Sequence, residues 1–497
     1  MEEEQQTDTL ESMTYKNHFT IVVQSIVSFL LIVAIFLFMG IMSRGEIRLD
    51  DPVYYTVAAV GVIGVYVSIR IWMKTTFTFG ETEIVIKKDT FFKKETNIQY
   101  SRLASVNVRK NIINHLFGTT TLLFNVNSSI NSNRAEATLT LESEEADRLR
   151  EMVSARIFKK TMVVEEERHE ETLVKVSNFD VILHGFFGQP TRTSIIGLAS
   201  LGYSIATLFI GEGLSLVAIL IFVLSSVIPW IRTILRYYNY RIYRKGDTIT
   251  VESGLISNYR SSFHIKKVNS VRIREPLLAR ALGKSLLEAE VVGLADSEGL
   301  PLLCPLKEKK IVMDLAQTLV PEFLFDTDHN KQPKESFIPI MTNRLLWSVL
   351  FIALGLTLYF FVTLNYDLDK EIAFVRYSIY LIVALLAVVT PVVLIIHGLL
   401  AHRYREFDMG PETVLLITGA YDIQWEFIRY DKIQKCDVSS GLIQRRFGVG
   451  RCTVALMSSQ GFRGITSGLF HRDELERIGN EVMDRIRDGR YDYRRYI

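Results

Sequence analysis

The residues able to do chemistry in this chain are few and badly spaced for it. His169-Glu170 opens a zinc-protease pattern, in which a second histidine at position 173 would share a helix face and complete the metal pair. That position is Leu173. Gly448-Val449-Gly450 begins like a dinucleotide-binding turn, but Thr453 stands where the third glycine belongs. No Walker phosphate loop and no G-x-S-x-G nucleophile elbow occurs. Adjacent carboxylates fall in charged runs such as Glu165-Glu166-Glu167, the composition of a solvated face. Cys304, Cys436 and Cys452 cannot all pair and lack metal-ligand spacing, which suits buried thiols in a reducing compartment. These residues predict no catalytic group, no metal and no cofactor.

Binding is the remaining chemistry. Lys87-Lys88-Asp89-Thr90-Phe91-Phe92-Lys93-Lys94 sets four lysines around two aromatics on a hairpin. Such a tip could rest on an anionic leaflet, where each basic residue contributes about 1 kcal/mol. The competing reading is a solvated hairpin with one phenylalanine facing the core. Arg445 and Arg446, with Arg451 nearby, form a second basic cluster suited to lipid, partner or interdomain contacts. Nucleic acid is not expected, because Glu81, Glu83 and Glu95 break up the basic residues and no reading helix is visible.

The elements that must position these residues begin with apolar blocks. The chain is 48% apolar with a net charge of +2, and its mean hydropathy is +0.19. Six blocks are long enough to span about 30 Å of hydrocarbon: residues 21–42, 53–73, 194–210, 214–231, 345–364 and 377–400. Short links join them as three hairpins, so whatever follows each pair lies on the same side as the N-terminus. Basic residues crowd the exits of the second helices (Arg70, Lys74, Arg232, Arg236, Arg241, Arg244, Lys245, Arg403, Arg405), which predicts cytoplasmic repeats and termini. The acidic start and the length of the first block argue against a cleavable signal. The spans hold no carboxylate in their interiors. A transport path is therefore the secondary reading, with Arg70 and His397 near helix ends and Pro391 able to kink the sixth helix.

After each pair comes the same stretch: YSRLASVNVRKNIINHLFG from Tyr100, IKKVNSVRIREPLLARALG from Ile265 and YDKIQKCDVSSGLIQRRFG from Tyr430. The copies begin 165 residues apart, a triplication that organises the whole chain. Alternating hairpins precede each copy, and the terminal Gly118, Gly283 and Gly448 suggest a positive φ or a close backbone approach. Two more short strands and an amphipathic helix follow, with Ser143 as N-cap of the first. The predicted inward faces are Ala146, Leu149, Met152 and Val153; Ile311, Leu315 and Leu319; and Leu475, Ile478, Val482 and Ile486. Each unit reads as a small β-roll closed by a helix.

Two helices, then a helix-capped roll with a φφ-x-[RH]-x-[FL]-G segment, resembles the bacterial pleckstrin-homology (PH) domain, and three in tandem resemble the YdbT-type membrane proteins. The match is best at Leu442–Gly448; Asn114–Gly118 lacks the arginine and Leu282 replaces phenylalanine in the second copy. The expected fold class is an α+β integral membrane protein of six transmembrane helices alternating with three PH-like rolls. The expected division is a disordered tail (1–18), hairpin one (19–74), roll one (75–160), a linker with an interfacial helix at Asn178–Phe187 (161–192), hairpin two (193–236), roll two (237–322), a flexible polar linker (323–343), hairpin three (344–401) and roll three (402–490). The resemblance implies residence in a bacterial cell membrane, a smaller YdbS-type partner and no established catalytic residues; membrane lipids and an oligomer are the further expected partners. The expected function is assembly or head-group binding in the membrane, with envelope protection as its setting. The alternative is a flux pathway conferring resistance to membrane-active peptides.

Overall fold

The computed structural model describes residues 13–44, 52–90, 93–126, 137–158, 174–209, 216–255, 259–291, 302–366, 373–458 and 461–490. They fall into two compact units. One comprises 1–173 with 250–263 and 293–297; the other comprises 174–249, 264–292 and 298–497.

In the first unit, helices Thr20–Arg44 and Pro52–Lys74 pack together. Their contact depends on Gly61, where any Cβ would fall on the ring of Phe29. Behind them, strands Met13–Lys16, Thr75–Phe79, Glu83–Asp89 and Lys93–Gln99 form one antiparallel sheet in that order. Leu103–Arg109, Thr119–Val126 and Ala137–Glu142 continue the roll. Alternation puts Phe77, Phe79, Ile84, Leu122, Phe124 and Leu139 inside, and helix Ser143–Phe158 closes the roll with Ala146, Leu149 and Val153.

Two expectations need correction here. Residues 13–16, read as disordered tail, form an edge strand because Tyr15 packs edge-on against Phe79, 5.6 Å between centroids. Asn17 Oδ1 then accepts from the Thr140 amide at 2.9 Å. Ser143 is the first residue of its helix rather than its cap, and its hydroxyl donates to the Gly118 carbonyl at 2.9 Å.

The second unit holds the other two helix pairs. Helix Thr191–Phe209 packs on Leu216–Phe222 and the segments that follow it. Helix Phe337–Asn365 packs on Ala373–Ala384 and Thr390–Tyr404. Gly197 faces Ser226 and Gly355 faces Ala387, small residues that let backbones approach. One wide π-turn interrupts the fourth helix at Val223–Val227 and another the sixth at Leu385–Val389, each just before a proline, Pro229 and Pro391. Among the described residues, four helices are long and apolar enough to cross a membrane: Tyr55–Lys74, Ala218–Tyr237, Lys334–Asn365 and Arg376–Tyr404.

Helix Asn178–Phe187 forms under a Ser177/Asp180 capping box. It buries Val181 and His184, while Leu183 and Phe187 pack on Leu286, Leu302 and Leu306. It therefore seals the second repeat's core. The polar linker is also pinned: Gln332 donates to the Ala401 carbonyl at 2.7 Å and accepts from the Leu469 amide at 2.7 Å. In the closing helix of the second copy the first inward position is Val312 rather than Ile311, which is exposed. In the third copy Arg485 is buried where Ile486 was expected.

The three motif glycines share one backbone state, φ 63° at Gly118, 66° at Gly283 and 65° at Gly448. A further repeated device links the first residue of the motif to the closing helix. Arg156 stacks over Tyr100 at 5.4 Å and Arg485 over Tyr430 at 4.5 Å. The tyrosine hydroxyls donate to the carbonyls of Gly80 and Gly410. Ile265 holds that place in the second copy.

Candidate functional site: the joint between the second and third rolls

The strand that opens each motif is an edge that wants a neighbour. Val268–Glu275 finds one in Ile423–Arg429 of the third repeat, antiparallel over six residue pairs from Ser270↔Ile428 to Glu275↔Ile423. The two rolls thereby share one six-stranded sheet. In the first unit, Leu103–Arg109 takes Tyr259 and Arg260 of the second repeat in the same antiparallel sense.

A buried charge cluster locks the joint. Glu426 is 1% exposed and Glu290 fully buried. Glu426 accepts from Arg272 Nε at 2.8 Å, Arg463 Nη2 at 2.9 Å and Ser270 Oγ at 2.9 Å. Arg463 Nη1 reaches Glu290 at 3.1 Å, and Ser458 Oγ donates to the same carboxylate at 2.8 Å. Glu288 takes Arg272 at 3.4 Å and Arg274 at 3.2 Å. Three arginines thus face three glutamates, so desolvation is offset charge for charge. Burial raises the Glu426 carboxyl above its ordinary range, and Arg272 pulls it back. Burial also works against the Arg272 cation, but Glu426 and Glu288 outweigh it and raise its pKa.

Asp422, at the tip of the third repeat's hairpin, ties three segments. It accepts from the Thr191 amide at 3.0 Å and the Leu277 amide at 3.2 Å, and the Thr191 hydroxyl donates to it as well. A carboxylate is favourable at these helix starts, where free N–H groups and the dipole converge. Lys309 adds an ion pair to Glu275 at 2.8 Å and stands 4.5 Å over the Trp425 ring.

The residues singled out from sequence lie elsewhere. Lys87 pairs with Glu95 at 3.7 Å and Lys93 with Asp89 at 3.6 Å, both exposed, while Lys88 and Lys94 face each other across the hairpin. Phe91 and Phe92 lie outside the described residues, as do His169 and Leu173. Arg445 and Arg446 are exposed on the short helix Leu442–Arg446, and Arg445 Nε donates to the Ser440 carbonyl at 3.1 Å. Arg451 is half-buried in strand Val449–Ser458. The structure brings none of these to the joint. Glu290, Arg272, Glu426 and Arg463 were missed because charges alternating along strands read as a solvated face. Among the described residues no group of three or more His, Cys, Asp or Glu could hold a metal ion.

The profile of the bacterial PH domain matches this chain three times, over residues 22–157, 194–316 and 349–486, which together cover most of its length. The chain belongs to the bacterial PH domain family. The three matches reproduce the triplication, each beginning in a helix pair and ending in a closing helix. A curated relative is the UPF0699 transmembrane protein YdbT of Bacillus subtilis (strain 168). It is 22% identical over 346 residues, 62% of this chain and 69% of the relative. Apolar helices and a transmembrane relative make this a membrane PH-domain protein of the YdbT family.

Proposed function

We propose that the chain is a non-enzymatic scaffold of the bacterial cytoplasmic membrane, whose PH-like rolls bind a PH-like roll of a partner membrane protein by strand addition. The observation that supports this most strongly is the internal joint. Each of the first two repeats offers its motif strand to a hairpin strand of the next, and the pairing of the second and third carries a neutralised ionic lock. A head-to-tail contact that does not close leaves one open edge of each kind. Those edges are Ile433–Ser439 of the third repeat and Lys93–Gln99 of the first, each the last strand of its sheet. A strand of another roll could extend either edge, the mode called β-augmentation. In this proposal the rolls and termini lie on the cytoplasmic side, a reading supported by the basic residues at the exits of the helix pairs. The occupant is then a smaller PH-domain membrane protein or a second copy.

The test is purification from native membranes in mild detergent, followed by hydrogen exchange on the assembly and on the isolated chain. A stoichiometric PH-domain partner or a second copy should co-purify, and Ile433–Ser439 or Lys93–Gln99 should exchange more slowly in the assembly. A monodisperse monomer without a partner, or unchanged exchange at both edges, would count against the proposal.

A further inference from the structure

Where the third helix pair meets its roll, three arginines gather without a counter-charge. Arg344 immediately precedes the predominantly apolar run 345–364, Arg405 follows helix Thr390–Tyr404, and Arg451 lies in strand Val449–Ser458; all three are half-buried. Gly398 sets the level of the first: a Cβ there would lie 3.0 Å from Arg344 Cγ. The hairpin tip of the roll reaches the same depth, since Tyr421 donates to the Val393 carbonyl at 2.7 Å and its ring stands 5.6 Å from that of His397. Arg405 Nε donates to the Gly419 carbonyl at 3.1 Å, and Arg451 Nε is enclosed without a hydrogen-bond partner.

Elsewhere in this unit Arg272, Arg274, Arg429, Arg463 and Arg485 each have a carboxylate within ion-pair distance. Among the described residues Arg344, Arg405 and Arg451 have none. Burial, and then the charges of Arg451 and Arg344, draws Arg405 down to about 10. Like charges held together and partly removed from water call for an anion to offset them. The flanking apolar run and the aromatic Trp347 and Tyr404 put the cluster at head-group depth, where phosphate oxygens are abundant. Guanidinium groups fit those oxygens in paired hydrogen bonds.

We propose that Arg344, Arg405 and Arg451 form a site for the phosphate group of an anionic phospholipid at the foot of the third helix pair. The site does not depend on the assembly reading, and its test uses the isolated chain. Thermal unfolding of the full-length chain in neutral detergent is followed with added phosphatidylglycerol, phosphatidylcholine or millimolar inorganic phosphate. Phosphatidylglycerol should raise the midpoint by several degrees and the other two should not. Arg405→Gln with Arg451→Gln should abolish that rise while leaving the midpoint in neutral detergent equal or higher, because mutual repulsion is relieved. Lysine at both positions should restore part of the rise, and Arg445→Gln with Arg446→Gln should keep it. A rise that survives in the double glutamine variant, or that inorganic phosphate alone reproduces, overturns the site. Should that variant fail to fold, native mass spectrometry of the unaltered chain decides. Preferential retention of phosphatidylglycerol over phosphatidylcholine supports the site, and equal retention overturns it.

Discussion

Replacing Glu426 by alanine removes the one carboxylate that both Arg272 and Arg463 share. In the intact joint it is 1% exposed and accepts from Arg272 Nε, both Nη atoms of Arg463 and Ser270 Oγ, all within 3.0 Å. Without it, Glu288 and Glu290 must satisfy three guanidinium groups, and a net positive charge stays buried at the strand joint. Breaking one partner of a buried ion pair costs about 3–5 kcal/mol. At 1.36 kcal/mol per decade, that is roughly two to three and a half decades in the opening equilibrium. The assay is native-state hydrogen exchange of residues 270–275 and 423–428 at neutral pH, because a multidomain membrane protein has no single unfolding free energy. Glu426→Gln should fall between alanine and the unaltered chain, since the amide accepts hydrogen bonds but carries no charge. Replacing Arg272, Glu426, Arg463 and Glu290 together by methionine, leucine, methionine and leucine removes two cations and two anions, leaves Arg274 paired with Glu288, and should be neutral or stabilising by about 1–4 kcal/mol. Unchanged exchange in the alanine variant would refute the claim that the charge cluster locks the joint.

Further expectations follow from the geometry. Burial, and then Arg274, holds His184 down to about 3, so the folded imidazole stays neutral where the unfolded one gains a proton. Stability should therefore fall on acidification, by about 2 kcal/mol between pH 7 and pH 5 for an unfolded value of about 6.5, and His184→Leu should flatten that limb in denaturation midpoints. Gly448→Ala should destabilise the third roll by about 1–2 kcal/mol purely through backbone strain, because φ is 65° and a Cβ would meet no atom within 4 Å. Gly355→Leu should lower the detergent melting midpoint by separating the third helix pair, since even a Cβ would lie 3.0 Å from the Ala387 amide nitrogen. An unchanged midpoint in either glycine variant would contradict the packing described.

Much of this architecture was legible because periodicity carries it. The even spacing of Tyr100, Ile265 and Tyr430 announced three copies, and runs such as 345–364 announced helices too apolar for a water-facing surface. Physical context that sequence does not display accounts for the rest. Arg485 looked like a solvated helix residue, yet the Tyr430 ring and the Glu412 and Glu481 carboxylates make its burial favourable. Met13 and Tyr15 looked like tail, because a four-residue edge strand announces itself only once Phe79 lies beside it. The ionic lock was hidden for a related reason. Glu426 sits in IQWEFIR, which reads as one wet face and one dry, until a second roll covers the wet one. The lysine-rich hairpin drew attention by composition, whereas half its lysines are neutralised locally by Glu95 and Asp89.

The central claim is that all three rolls hang on the cytoplasmic side of the membrane from helix pairs, free to join edge to edge. Single cysteines introduced as Lys94→Cys, Lys266→Cys and Lys435→Cys, in a chain freed of its own thiols, test it at one exposed residue per repeat. A membrane-impermeant maleimide should label all three in inside-out vesicles and none in right-side-out vesicles. Labelling of any one of them from the outer face would contradict the account.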